Sequence, residues 1–364
     1  MSRASWIPTS SDCTWSFDGV THQGSEFDRA CAALIGMAVG DALGMPSQTL
    51  SRGDIMRHYG QITDFMPPID DHPVSHGLAA AKVTDDTEQT LLLAARLIQG
   101  DGLLDETLWA QDLIAWEADV RDRGLRDLLG PSTKAALEAM LAGTDPAHTG
   151  RNGTTNGAAM RITPVGISTH LTPMTSLIDQ VERACRLTHN TGEAIAAACA
   201  VAAVVSSGIA GADFRSSLPL AIDAAKLGQQ RGYPEGHSDM AQKITKAIAL
   251  AGSGVSVQEF ADKIETSVAS HESVPAAFGV VLLAGGDPWK AAVIAANIGD
   301  DTDTIGAISG AMAGACIGCS GFPVEKVEQV RRANPLAIEQ IATNLLALRH
   351  RVGSSTPVAD GVAI

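Results

Sequence analysis

The sequence predicts an all-α protein, on three observations. Aromatic residues make up only 4% of the 364 residues while hydrophobic residues reach 45%, with alanine and glycine prominent among the small ones. Small side chains at that density suit closely packed helices, whereas a β-sandwich would draw on β-branched and aromatic residues. Apolar residues recur at three-to-four spacing in segment after segment, and no alternating strand series interrupts them. The helical stretches share no fixed sequence unit, which excludes a solenoid, and the chain is long enough to bury a large core.

In chain order, residues 27–44 predict a buried helix through Ala30, Ala33, Leu34, Met37, Ala38 and Leu43, ended by a glycine. Gly36, Gly40 and Gly44 share one face of it. That face admits a second backbone at close range, and a packing role and a catalytic role stand equally open. Residues 45–82 carry Pro46, Pro67, Pro68 and Pro73 and predict a loop, far longer than the typical connection of roughly five residues. His72 and His76 in that loop are expected to face solvent.

Residues 83–99 predict a helix with Thr84 or Asp85 as its cap. Helices at 108–120 and 132–141 flank a turn at 124–131, and a Gly/Thr/Asn-rich loop at 143–157 re-enters a helix at 156–161. Further helices are expected at 174–187, 194–209, 214–230, 239–251, 257–268, 274–283, 288–295, 304–317 and 337–348. A single domain over 26–350 follows, between a flexible arm at 1–25 and a frayed tail at 351–364.

The net charge of −15 and the lack of a Lys/Arg cluster argue against a nucleic-acid partner. Of Cys13, Cys31, Cys185, Cys199, Cys316 and Cys319, only the last two are spaced as C-x-x-C. With no second pair or nearby histidine, that pair reads as helix packing, and a reducing cytoplasm is expected. The start of the chain has no basic stretch followed by an apolar one, and runs such as 194–205 are too short to span a bilayer. No membrane partner is expected.

Two acid-and-threonine clusters carry the chemistry: Thr84-Asp85-Asp86-Thr87 and Asp300-Asp301-Thr302-Asp303-Thr304. Each alone reads as an ordinary helix cap. Together they predict one split site, because four or five aspartates buried side by side repel one another and require cations. An oxygen-only donor set points to magnesium, manganese or calcium.

Five motifs stand in a fixed order: Gly40-Asp41-Ala42-Leu43-Gly44, Thr84-Asp85-Asp86-Thr87, Asn156-Gly157-Ala158-Ala159-Met160-Arg161, Thr188-His189-Asn190 and Asp301-Thr302-Asp303-Thr304-Ile305-Gly306. In these the chain resembles the ADP-ribosylglycohydrolase family, which includes the dinitrogenase reductase-activating glycohydrolases. The resemblance covers about residues 27–349. It implies a single-domain orthogonal helical bundle with two Mg2+, or Mn2+ in their place, in a cleft. It also implies hydrolysis of a glycosidic bond to ribose, releasing ADP-ribose from a small molecule or an ADP-ribosylated protein.

Matched by position, the implied metal ligands are Thr84, Asp85, Asp86, Asp301, Asp303 and Thr304. Asp300 stands where many relatives have glycine, as an extra acid beside the centre or as a solvated loop residue. Gln48 stands where many members carry glutamate; a neutral amide cannot be a base, and it either orients a water or ribose hydroxyl or is a plain loop amide. Leu128 stands where arginine-specific relatives have aspartate, with Asp127 one place off. Proton transfer then falls to Asp85, Asp86 or Asp303.

The resemblance makes His189 a phosphate or hydroxyl contact. Asn156 and Gly157 open a helix whose amides would suit a diphosphate. Arg161 either grips a phosphate or braces the loop through a salt bridge. A ribonucleoside-type N-glycosidase and a catalytically silent binding protein are the competing readings.

Overall fold

A computed structural model describes residues 23–125, 128–236 and 238–353. The chain begins with α1 (Glu26–Gly44), α2 (Arg52–Tyr59), α3 (Asp85–Gln99), α4 (Glu106–Asp122) and α5 (Pro131–Leu141). Three short helices follow, α6 (Pro146–Thr149), α7 (Gly157–Met160) and α8 (Thr163–Ser168). The middle of the chain forms α9 (Met174–Cys185), α10 (Gly192–Ile209), α11 (Phe214–Gly228), α12 (Met240–Gly252) and α13 (Val257–Ala261). The last part forms α14 (Ser270–Leu283), α15 (Pro288–Ala296), α16 (Thr302–Ile317), α17 (Val324–Ala333) and α18 (Ile338–Gly353). The result is an all-α, single-domain bundle.

Local chemistry sets most helix starts. Ser25, Ser51, Thr84, Asp105, Asp213, Asp239 and Asp287 each accept a hydrogen bond from a backbone amide of the helix they precede. α10 is apolar on every side, which suits only a helix enclosed on every side, and all of its residues are buried. It is long and apolar enough to cross a membrane by length and composition, yet it lies wholly inside the bundle.

α1 and α16 cross at backbone contact. A Cβ on Gly36 or Gly40 would overlap the carbonyl of Gly310 or Gly306, and one on Gly306 or Gly310 would overlap the carbonyl of Gly40 or Gly36. The glycine face of α1 is thus a packing face, answered by a glycine face on α16. Arg29 secures the far end by donating to the carbonyls of Ala315 and Cys316 at the end of α16 and of Gly208 near the end of α10. Buried Arg349 of α18 donates to Thr169 O at 2.7 Å and to Ser206 O at 3.1 Å, tying the last helix to α8 and α10.

Several expectations require correction. The loop at 45–82 contains α2, whose polar sequence buries only Ile55 and so lacks an apolar stripe. The helix expected at 257–268 stops at Ala261, the loop expected at 143–157 contains the four-residue α6, and α8 and α17 are additional: α8 has six residues and α17 buries only Val330. His72 is 2% exposed rather than solvent-facing, because its Nδ1 accepts from the amides of Val74 and Ser75. Arg161 forms no salt bridge among the described residues; it donates to the neutral oxygens of Gln89 and Thr188 and lies over the Trp109 ring. Asp127 and most of the expected arm and tail lie outside the described residues.

Candidate metal centre and cleft

The end of α1 and the starts of α3 and α16 meet at one place. Gly44 lies against α16 so closely that a Cβ there would come 2.5 Å from Asp303 N, and Gly44 O accepts from Thr302 Oγ1 at 2.9 Å. The loop after α1 pairs with the loop before α16 through Leu50 and Asp300, which brings Gln48 beside the second acid cluster. Both helix N-termini present partial positive charge to the acids gathered there.

Asp41, in the last turn of α1, ties α3 to the site. Its carboxylate accepts from the amides of Thr84 and Thr87 at 3.0 and 3.1 Å and from both threonine hydroxyls. Carboxylate oxygens of Asp41, Asp86 and Asp303 lie within 4.8 Å of one another, all three buried. Asp86 Oδ2 accepts from Thr84 Oγ1 at 3.2 Å and Thr304 Oγ1 at 3.4 Å. Asp86 Oδ1 is buried without a hydrogen-bond partner among the described residues. An orphaned carboxylate oxygen amid other carboxylates is an unfavourable arrangement that a cation would relieve, so the donor set fits a hard metal.

The electrostatics agree. Burial first, then the neighbouring carboxylates, holds Asp85, Asp86 and Asp303 well above the usual aspartate range. Burial raises Asp41 to about 6 against the opposing hydrogen bonds of Thr84 and Thr87. It raises Asp301 to about 6 against the amide of Asn156.

Because these folded values exceed the unfolded value of 3.8, the metal-free fold binds protons more tightly than the unfolded chain. Their contribution to stability is complete below the unfolded value and is lost as the pH rises through about 6. In EDTA the melting temperature should therefore be lower at pH 7.5 than at pH 5. Added Mg2+ should restore it most at pH 7.5. Equal Mg2+ increments at both pH values in thermal melts would contradict the cluster's role.

The cleft above the acids is lined by Gln48, Asp85, Asp86, Asn156, Gly157, Asp301, Asp303 and Thr304 among the expected site residues. Leu128, Leu129, Pro131 and Met160 supply apolar wall. Asn156 Nδ2 donates to Asp301 Oδ2 and to Ser273 Oγ, which aims the carboxylate. Gln48 Nε2 donates to Ser75 Oγ at 2.7 Å. Asp300 is exposed, with φ of 57°, a left-handed conformation that glycine adopts without strain. It is the solvated loop residue of the two readings.

Thr84 and His189 do not line the cleft. Thr84 is buried as the cap of α3, its hydroxyl within reach of Asp41 and Asp86. His189 is fully buried, with Nδ1 on Thr188 Oγ1 at 2.7 Å and Nε2 on Thr155 Oγ1 at 3.0 Å. Its ring lies beneath Gly157: a Cβ there would meet His189 Cε1 at 2.8 Å. With both ring nitrogens held, His189 cannot swing aside. Gly157→Ala should cost about 1 to 3 kcal/mol of stability, read in a denaturant titration.

Sequence reasoning missed Gln89, Ser75 and Thr155, and it placed Asp41 and Thr87 in motifs without giving either a role in the site. Asp41 carried a signal: a lone charge inside a small-residue helix marks a partner elsewhere.

A helical bundle whose cleft is floored by buried, mutually close carboxylates has the oxygen donors of a hard-metal enzyme site. The family model described as ADP-ribosylglycohydrolase matches residues 22–355, and the chain belongs to that family. It is 32% identical over 328 residues to the uncharacterized protein YegU of Escherichia coli (strain K12), covering 89% of this chain and 98% of that one. It is 28% identical to the ADP-ribosylarginine hydrolase Tri1 of Pseudomonas putida (strain GB-1), over 83% of this chain and 74% of that one. It is also 28% identical to the ADP-ribosyl-[dinitrogen reductase] glycohydrolase of Rhodospirillum rubrum, over 82% and 89%. A solved ADP-ribosylglycohydrolase-related protein complex matches with a TM-score of 0.64 and 26% identity, over 90% of this chain and 98% of that one. The protein is a glycosyl-bond hydrolase of the ADP-ribosylglycohydrolase type.

Proposed function

We propose that the protein is a magnesium-dependent hydrolase that releases ADP-ribose from a modified side chain or small molecule. The observation that carries the reading is the orphaned Asp86 Oδ1 beside the close carboxylates of Asp41 and Asp303. Asp85, Asp86, Asp301, Asp303 and Thr304 would hold two Mg2+, or Mn2+, with Thr84 contributing from beneath. When bound, the ions supply positive charge that binds ribose hydroxyls and raises the acidity of a water.

The protein's own groups do the rest. Bond cleavage builds positive charge on the ribose, which the carboxylates flanking the cleft stabilise. Asp85, Asp86 or Asp303 accepts the proton of the attacking water, since Gln48 cannot. Gln48 commits its Nε2 to Ser75, leaving Oε1 to accept from a water or a ribose hydroxyl. The described cysteines are free thiols, which fits a cytoplasmic setting.

Relatives named for ADP-ribosylarginine and ADP-ribosyl dinitrogen reductase support a diphosphate-bearing substrate. Leu128 and Gln48 in the cleft wall, in place of acids, favour as a second reading a nucleoside-type N-glycoside. Thermal-shift titrations in Mg2+ separate the two. ADP-ribose should stabilise the protein far more than ribose, and equal shifts would favour the second reading. A turnover panel of ADP-ribosylated arginine, serine and guanidine, with free nucleosides, then names the bond.

A further inference from the structure

A chain of buried hydrogen bonds runs from the acid cluster, through the body of the bundle, to the cleft wall. Gln89 Nε2 donates to Asp85 Oδ2 at 3.1 Å, and Gln89 Oε1 accepts from Arg161 Nη1 at 2.7 Å. Arg161 Nη2 donates to Thr188 Oγ1 at 2.5 Å. Thr188 Oγ1 lies 2.7 Å from His189 Nδ1, and His189 Nε2 lies 3.0 Å from Thr155 Oγ1. Thr155 lines the cleft, while Gln89, Arg161, Thr188 and His189 are buried.

The direction of every bond follows from one residue. A guanidinium only donates, so Thr188 Oγ1 accepts from Arg161. The buried Thr188 hydroxyl must then place its own proton, and among the described residues His189 Nδ1 is the acceptor within reach. Nδ1 is therefore bare and the ring proton sits on Nε2. Burial, and then the Arg161 charge, keep the imidazole neutral, far below its usual range. The Nε2 proton is donated to Thr155 Oγ1, and the Thr155 proton has no acceptor among the described residues.

We infer that Thr155 is a substrate-contacting donor whose hydroxyl proton is presented to an acceptor oxygen of the bound ligand, and that His189 is the positioning residue that fixes its direction. The inference rests on the ADP-ribose reading above. Histidine thus acts on the ligand through Thr155 rather than by direct contact. The shared chemistry is an acceptor oxygen, which either a phosphate or a ribose hydroxyl supplies.

Calorimetric titration of the full-length protein in Mg2+ with ADP-ribose and with ribose tests it. Thr155→Val keeps the shape and removes the donor, and should weaken ADP-ribose about three- to tenfold, the worth of a hydrogen bond. Thr155→Ser should restore it. Loss with ADP-ribose alone assigns the acceptor to the diphosphate, and loss with both ligands assigns it to the ribose. Wild-type affinity in Thr155→Val, or a serine variant as weak as valine, overturns the inference.

Two-bond 1H–15N NMR of the imidazoles supplies a readout that no ligand enters. His189 should show the neutral Nε2–H tautomer, and Thr188→Val should release it. An Nδ1–H tautomer reverses the chain and overturns the inference even if the valine variant fails to fold. Failure of the wild type to bind ADP-ribose would instead sink the proposed function, with the tautomer still deciding the direction of the relay.

Discussion

Replacing Asp303 with asparagine is expected to cut turnover at least about a thousandfold, the scale on which a group that stabilises developing charge is lost. The substitution keeps shape and removes one charge from a cluster that burial and the Asp86, Asp301 and Asp41 carboxylates already disfavour. Its effect on stability therefore has two signs. In EDTA at pH 7.5 the variant should melt at or above the wild type, because a repulsive charge is gone. In Mg2+ it should melt below the wild type, because a ligand is gone. Release of ADP-ribose and melts with and without Mg2+ measure both; an unchanged Mg2+ increment would remove Asp303 from the metal centre.

Gly40→Ala should be strongly destabilising for a single added methyl, at about 3 kcal/mol or more. The added carbon would overlap the backbone of Gly306, and backbone cannot turn aside as a side chain does. Separating α1 from α16 would also spread Asp41 from Asp303, so Mg2+ response should fall with stability. Gly53→Ala is the control: its Cβ meets only Ser51 Oγ, at 3.7 Å, and a helical alanine should stabilise by about 0.5 to 1 kcal/mol. Urea titrations of the two variants give the comparison, and similar midpoints would refute the close-packing account.

Most helices were legible because their signals are local. Apolar residues every three to four positions and a Ser, Thr or Asp before the first turn operate within one segment, as Thr84 before α3 and Asp287 before α15 illustrate. The missed elements lack the apolar period: α2 and α17 each bury a single residue, and α6 and α8 are too short to show one. The glycine face of α1 was visible, but its partner face on α16 became meaningful only when the two were seen to meet.

The acids of the site and their split into two clusters could be read from residue types alone, since buried carboxylates demand an explanation wherever they lie. Their assembly could not. Thr304 reaches Asp86 across 218 positions, and Asp41 enters the group because α1 ends where α3 begins. His189 lies beneath Gly157 and Thr155 lines the cleft for the same reason. Helix formation and capping depend on neighbours in sequence, so the chain itself determines them. Burial, repulsion and the direction of a hydrogen bond depend on neighbours in space, and only the packed bundle decides which oxygens meet and which proton faces the cleft.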